Sequence, residues 1–145
     1  MEAAGPSYLV VGVEGEEFGF DVRRVETVVE YRQPTPIPGR PVPFLGALNH
    51  HGDLLPVVAL ATLLGFQPRV DPVHSVIVVL PWEESLLGLL VERAHGMLTP
   101  LERSRLTHVL GRWNGPHLQF TLETEGRRVH VLDVDALLSD LSRRL

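Results

Sequence analysis

Residues 44–60 read FLGALNHHGDLLPVVAL, and this stretch decides the fold class. Two apolar runs, 44–49 and 54–60, flank a polar turn at 50–53 that contains Gly52. Such runs around a short turn with glycine are typical of a β-hairpin. We expect His51 to be exposed at the hairpin tip. Pro56 lacks an N–H group, so we expect it at a sheet edge or a bulge.

The same pattern recurs on both sides of this hairpin. Apolar stretches at 8–14 and 18–22 surround a glycine turn, and those at 118–122 and 129–132 surround Glu125-Gly126. Residues 25–31 predict a further strand. Residues 75–80 are nearly continuous valine and isoleucine, which indicates a strand buried on both faces, with a turn at 81–85 and a return strand at 86–91. The predicted core includes Val10, Phe20, Leu48, Val58, Val78 and Leu89.

Helical signals are few. Leucines at 137, 138, 141 and 145 form one stripe, which predicts an amphipathic helix over 135–145 capped by Asp133 or Asp135. Residues 61–64 predict a helical turn ended by Gly65, and 101–110 predict another helix. Together these patterns predict an all-β fold with a C-terminal helix, built as one or two small barrels.

The proline-rich segment 33–43 fits neither a central strand nor a helix interior. We interpret it as an ordered crossing loop, because the next segment is strongly patterned; a flexible linker is the alternative. The 145 residues suit one domain or two small lobes sharing a core. We expect residues 1–7 to be disordered and residues 8–145 to form a single domain of two lobes.

Composition excludes several classes of protein. The chain has 44% hydrophobic residues and no cysteine, which argues against disorder, disulfides and thiolate chemistry. The net charge of −5, without a basic cluster, argues against nucleic-acid binding. No apolar stretch reaches the roughly 18 residues of a transmembrane helix, and no signal peptide is visible, so we expect a cytoplasmic protein without direct membrane insertion.

The seven histidines are the first candidates for chemistry, but they follow no metal-ligand spacing. His50 and His51 are adjacent, so in a strand they should point to opposite faces. We expect single hydrogen-bonded histidines on surfaces and turns; a metal site assembled in three dimensions is the alternative. Nucleophile and phosphate-loop motifs are missing, and we predict no catalytic, cofactor-binding or metal-binding residue. Trp82 and Trp113 are placed in loops, as interface anchors or as covers of a barrel end.

The ordered set of segments resembles one family, the CheW-like adaptors of bacterial chemosensory arrays. The matching segments are YLVV at 8–11, GEEFGFDV at 15–22, VETV at 25–28, TPIPG at 35–39, FLGALN at 44–49, LPVV at 55–58 and VLDVDALL at 131–138. The resemblance implies two interlocked five-stranded SH3-like barrels and no catalysis. It also implies an adaptor that couples a CheA-type histidine kinase to a methyl-accepting chemoreceptor.

Two departures from the family pattern fall around the hairpin that the family uses near its receptor-facing surface. Where the family usually has Asn-Leu-Arg-Gly, this chain has Asn49-His50-His51-Gly52, and an aspartate of the family is replaced by Ala59. A histidine titrates near neutral pH, whereas arginine is always charged. The resemblance implies that partner binding involves Phe44, Asn49, His50, His51, Gly52 and Asp53.

Three functions therefore remain open. The first is an adaptor with its own kinase and receptor. The second is a diverged CheW-like domain of another two-component pathway, such as surface motility or gene regulation. The third is a small-ligand or enzyme domain on the same β scaffold.

Overall fold

The computed structural model describes residues 6–39, 42–100, 105–107, 115–124 and 126–144. The strands are β1 Tyr8–Val13, β2 Glu16–Asp21, β3 Thr27–Glu30, β4 Phe44–His50, β5 Asp53–Ala59, β6 Val76–Trp82, β7 Ser85–Val91, β8 Arg93–Leu98, β9 Arg105–Thr107, β10 Leu118–Thr124 and β11 Arg127–Leu132. The helices are α1 Leu60–Leu63 and α2 Val134–Arg143, and a 3₁₀ turn spans Val22–Arg24. No helix in these ranges is long and apolar enough to cross a membrane.

The strands form two sheets. One has six strands in the order β8-β1-β2-β11-β10-β9, and the other has five in the order β3-β6-β7-β5-β4. Neighbouring strands are antiparallel except for β2–β11 and β5–β7, which are parallel. The resemblance implies five strands in each barrel, and the first sheet has a sixth, the short edge strand β9. The predicted all-β fold with a C-terminal helix is confirmed, and so are the three hairpins at β1–β2, β4–β5 and β10–β11.

The main hydrophobic core is shared by both sheets and both helices. It combines Val11 and Phe20 of the six-stranded sheet with Val58, Val78 and Leu89 of the five-stranded sheet. All six residues predicted as core are buried: Val10, Phe20, Leu48, Val58, Val78 and Leu89. Each sheet forms one lobe of the chain, and the two lobes pack together through this shared core.

Helix α2 begins as the sequence predicts. The side chain of Asp133 accepts a hydrogen bond from the Ala136 N–H at 3.0 Å, which satisfies one of the free donors of the first turn. Leu137 and Leu141 of the apolar stripe are fully buried. The helix thereby closes one side of the main core.

Pro56 was predicted at a sheet edge or a bulge. It is not at an edge, because β5 lies between β4 and β7, and the bulge of the hairpin lies one position away, opposite Val57 and Val58. Its partner in β4 is Ala47, whose N–H and C=O both bond to Thr35 in the proline-rich segment, away from β5. Pairing with β7 begins one residue later, at Val57. The ladder therefore needs no N–H from Pro56 toward β4, and the segment before β4 is an ordered crossing at this point.

Three other expectations are corrected. The helix predicted over 101–110 is wrong at 105–107, which form β9 and pair with β10; the rest of that stretch lies outside the described residues. Trp82 is buried at the end of β6 rather than in a loop, so the turn predicted at 81–85 shortens to Glu83-Glu84. Strand β8 was not predicted. Trp113 and residues 1–5 of the expected disordered N-terminus lie outside the described residues.

Candidate partner-binding site

The tip of the β4–β5 hairpin is a two-residue turn made by His51 and Gly52. Both residues have positive φ, 51° and 87°, as in the type I′ turn that matches the twist of paired strands. The side-chain oxygen of Asn49 accepts a hydrogen bond from the Gly52 N–H at 3.0 Å. The tip is therefore held by its own side chains in one backbone conformation.

A second contact ties the tip to the segment after β3. The Arg32 guanidinium donates a hydrogen bond from Nη2 to the backbone oxygen of Asn49 at 2.8 Å. Below the tip, Leu48 and Leu55 pair across the hairpin and are buried. The tip thus projects from a packed base.

The structure brings five of the six predicted partner-binding residues together. Asn49, His51, Gly52 and Asp53 are exposed at the tip, as expected for His51, and His50 is half-buried beside them. Phe44 is at the other end of β4, about 20 Å away along the strand. Its ring packs against the main core and lies 6.4 Å from the ring of Trp82, centroid to centroid. Only residues 49–53 therefore form a common surface, called the tip below.

The rings of His50 and His51 do not point to opposite faces, contrary to the sequence prediction. Their centroids are 4.2 Å apart, with an angle of 61° between the ring planes. The alternation of side chains holds only for extended residues, and His51 has left-handed backbone geometry in the turn. The two imidazoles therefore contact each other edge to face.

A groove of ≈ 520 Å³ lies between the tip and the β6–β7 turn. It is lined by His50, Asp53, Leu54, Leu55, Glu84, Ser85 and Leu86. Leu54 belongs to the apolar run 54–60, but its side chain is 62% exposed. It therefore offers apolar surface next to the polar tip. No local pattern indicates that Glu84 and His50 line one groove, because the two turns come together only in the folded sheet.

The other described histidines are each paired with a carboxylate. The ring-nitrogen to oxygen distances are 2.7 Å for His74–Asp71, 2.8 Å for His95–Glu17, 3.0 Å for His117–Asp140 and 3.0 Å for His130–Glu16. His130 is fully buried, so the expectation that histidines lie on surfaces and turns is wrong for this residue. His108 lies outside the described residues. Within the described ranges, no three potential metal ligands converge.

Charged side chains also join the strands of the six-stranded sheet. Glu17 in β2 accepts hydrogen bonds from Arg127 in β11 at 2.9 and 3.1 Å and contacts His95 in β8. The hydrogen bonds from Arg127 and, to a lesser degree, His95 lower the pKa of the Glu17 carboxyl, against the raising effect of burial. These groups are committed to strand pairing and do not line the tip.

The replacement of an aspartate by Ala59 also has a visible consequence. Ala59 is the N-terminal cap of α1, and no side-chain hydrogen bond satisfies the first turn of that helix. Leu60, Ala61 and Leu63 are nevertheless buried. Tertiary packing therefore holds α1 in place where a capping side chain is missing.

The family model of the CheW-like domain matches residues 7–142, which includes both sheets and nearly all of α2. The chain belongs to the CheW-like family. It is 30% identical to the chemotaxis protein CheW of Thermotoga maritima over 131 residues, covering 90% of this chain and 85% of that protein. It is 26% identical to the chemotaxis protein CheW of Klebsiella aerogenes, covering 95% of this chain and 84% of that protein.

A solved structure agrees with the fold. The crystal structure of the scaffolding protein TtCheW from Thermoanaerobacter tengcongensis matches with a TM-score of 0.78 at 21% identity, covering 91% of this chain and 86% of that chain. The two-lobed, SH3-like architecture implied by the sequence is thus confirmed. Family and relatives identify the chain as a CheW-like chemotaxis coupling adaptor.

Proposed function

We propose that this chain binds a CheA-type histidine kinase and methyl-accepting chemoreceptors and holds them together without catalysing a reaction. The observation that carries the proposal is the family match over residues 7–142, which spans both lobes rather than one shared motif. An adaptor needs two surfaces, and two lobes packed on one core can present two surfaces in a fixed relation. The assembly implies the cytoplasm as its compartment.

The tip and its neighbouring groove are the partner surface that we propose for the receptor side. The tip supplies hydrogen-bonding groups on a fixed backbone, and Leu54 supplies exposed apolar area beside them. Protein interfaces commonly combine an apolar centre with a polar rim. Affinity at this site would come from burying Leu54, and specificity from the polar groups at residues 49–53.

The family match supports a non-catalytic role. The four histidine–carboxylate pairs connect strands, helices or loop residues, and within the described ranges no cluster of three potential metal ligands forms. The sequence also lacks the nucleophile and phosphate-binding motifs.

The proposal is tested by reconstitution with the kinase and a receptor cytoplasmic fragment from the same genome, followed by co-sedimentation. Leu54→Glu places a charge in the groove, and we expect receptor binding to weaken by about tenfold or more, as loss of an interface anchor does. Val73→Glu is the matched control, because Val73 is 81% exposed and lies outside the groove. Its binding should equal that of the wild type.

Failure of the wild-type chain to bind either partner would contradict the adaptor role. Kinase binding without receptor binding would favour a CheW-like domain of another two-component pathway. Equal loss of binding in Leu54→Glu and Val73→Glu would show that the groove is not the contact surface. Circular dichroism of each variant checks that the fold is intact.

A further inference from the structure

The groove beside the tip lies where two neighbouring parallel strands begin. The register of β5 with β7 pairs Val57 with Gly88, and the same offset, four residues earlier, brings Asp53 level with Glu84. Ladder pairing of these two strands starts only at Val57, so no β-ladder closes the strand ends before it. The space between those ends is the groove of ≈ 520 Å³, and both acidic residues line it.

The two carboxylates at this groove have no counter-ion. Within the described ranges, neither Asp53 nor Glu84 takes part in an ion pair, and both residues are exposed. The described residues that line the groove include no arginine, and the sequence contains no lysine. Arg32, a cation beside the tip, is engaged with the backbone oxygen of Asn49. Two like charges at one level of adjacent strands repel each other, so this arrangement does not serve the stability of the fold.

Apolar side chains form much of the remaining wall. Leu54 is largely exposed next to Asp53, and Leu86 is half-buried shortly after Glu84. An arginine side chain combines an aliphatic stem with a planar guanidinium that carries five donors, so it can lie along leucines and bond to carboxylates on two strands. Lysine lacks this fork, and it is depleted at protein interfaces where arginine is enriched.

We propose that the groove receives an arginine side chain of the partner, whose guanidinium bonds to Asp53 and Glu84 while its stem covers Leu54 and Leu86. Charge complementarity identifies this occupant, because two unpaired anions attract a cation on the opposing surface. Leu54→Glu would add a third carboxylate that one guanidinium leaves unpaired when buried, so the loss expected for that variant is unchanged. That the arginine belongs to the receptor rests on the proposed function; that the groove takes an arginine rests on the groove alone.

The groove is tested first without a partner protein, by titrating the isotope-labelled chain with N-acetylarginine amide in low-salt buffer at about pH 8, where histidine side chains are neutral. Backbone amide signals are followed by NMR, and we expect saturating shifts at millimolar concentrations for residues 53–55 and 84–86. N-acetylcitrulline amide, which has a similar shape without the charge, should give no saturating shift. Equal shifts with the two probes, or none with the arginine probe, would overturn the arginine site.

Two variants of the chain sharpen this titration. The shifts should be lost in the double variant Asp53→Asn/Glu84→Gln. They should be kept in Glu83→Gln, because Glu83 lies in the same turn and is exposed but does not line the groove. Equal loss of the shifts in both variants would mean that the net charge of the region, and not the groove, attracts the probe, and the proposal would be wrong.

The receptor contact is measured by calorimetry with the receptor cytoplasmic fragment. We expect the affinity of Asp53→Asn/Glu84→Gln to fall by about tenfold or more from that of the wild type, and the affinity of Glu83→Gln to stay within about twofold. Each arginine of the fragment is then replaced by glutamine in turn. One replacement should cost about tenfold with the wild-type chain and nothing further with the double variant, since both changes remove the same contact. Additive losses for every arginine would contradict the contact.

A structural role for the two carboxylates gives a different result. Urea denaturation of Asp53→Asn/Glu84→Gln should show a midpoint equal to or above that of the wild type, because repulsion is removed. A lower midpoint would show that the carboxylates stabilise the fold, and would overturn their assignment to a partner.

The two failures are distinguishable. Binding of the arginine probe without binding of the receptor fragment would support the arginine site and contradict the proposed function at the receptor. Receptor affinity that is the same in the wild type and in Asp53→Asn/Glu84→Gln would overturn the arginine contact and leave the proposed function intact.

Discussion

The two sheets share one apolar core but differ in the side chains that link their strands. The strands of the six-stranded sheet are joined by charged and histidine side chains: Glu17 with Arg127 and His95, Glu16 with His130, and Glu123 with Arg128. In the five-stranded sheet, no ion pair links two of the described strands. Its central strands instead bury apolar side chains on both faces, Val78 and Leu89 on one and Ile77 and Leu90 on the other.

This difference has a physical consequence. Apolar burial is non-directional and does not depend on protonation, whereas ion pairs and histidine hydrogen bonds do. The five-stranded sheet should therefore keep its stability in acid, and the six-stranded sheet should lose part of it. The tip that we propose for partner binding belongs to the five-stranded sheet, whose central strands are packed on both faces by apolar side chains.

The largest expected effect is in the five-stranded sheet. Leu89→Ala removes a fully buried side chain from the shared core, and we expect the free energy of unfolding to fall by about 2–5 kcal/mol. Leu54→Ala, at a 62% exposed position of the same sheet, should stay within about 0.5 kcal/mol of the wild type. The free energies of unfolding of both variants are measured by urea denaturation. A loss below about 1 kcal/mol for Leu89→Ala would show that apolar packing is not what holds this sheet.

A smaller effect is expected in the six-stranded sheet. Thr121→Val removes the hydroxyl that lies 3.0 Å from Nδ1 of the buried His130, while keeping the shape of the side chain. Weakening the hydrogen bonding of a buried polar group should cost about 1–3 kcal/mol by urea denaturation. Thr124→Val, near the end of the same strand, is the control and should be close to neutral. Equal stability of the two variants would mean that this hydrogen bond contributes nothing.

The smallest effect concerns pH. The pKa of Glu17 is lowered in the folded state, chiefly by the hydrogen bond from Arg127, so the unfolded chain binds a proton more readily at that site. Its contribution is therefore present above the unfolded pKa and is lost as pH falls through the folded pKa. We expect the free energy of unfolding of the wild type, measured by urea denaturation, to exceed that of Glu17→Gln by up to about 1 kcal/mol at pH 7. The difference should be smaller at pH 3.

The two sheets can be compared directly in the same experiment. The destabilisation caused by Leu89→Ala should be the same at pH 7 and pH 3, because no titratable group is removed. If the difference between wild type and Glu17→Gln does not shrink in acid, then the charged network does not distinguish the sheets.

Local pairing could be predicted from the sequence because its signals are local. The β1–β2, β4–β5 and β10–β11 hairpins each show apolar runs around a short turn, and the Asp133 cap precedes the leucine stripe of α2. The parallel pairings β2–β11 and β5–β7 have no such signal, since they join segments distant in the chain. Edge strand β8 was missed because its residues are exposed on both faces and follow no alternation.

The candidate site was predictable in its location but not in its geometry. A glycine turn places residues 49–53 at a tip, whereas the contact of His50 with His51 depends on a positive φ that histidine rarely adopts. The resemblance implies that Phe44 belongs with residues 49–53, but β4 carries it to the far end of the hairpin. The burial of His130 depends on Glu16, at a separation of 114 residues, which no local pattern reveals.

The parallel pairing of β2 with β11 also determines the order in which the protein can form during synthesis. The five-stranded sheet uses only strands between Thr27 and Val91, so all of its parts have been made before the last third of the chain is translated. In the six-stranded sheet, β2 must wait for β11, which ends at Leu132. A nascent chain without β11 should therefore hold a paired five-stranded sheet whose core face still lacks Leu132 and α2, beside a β1–β2 hairpin that lacks its parallel neighbour; both carry exposed apolar surface that chaperones can protect.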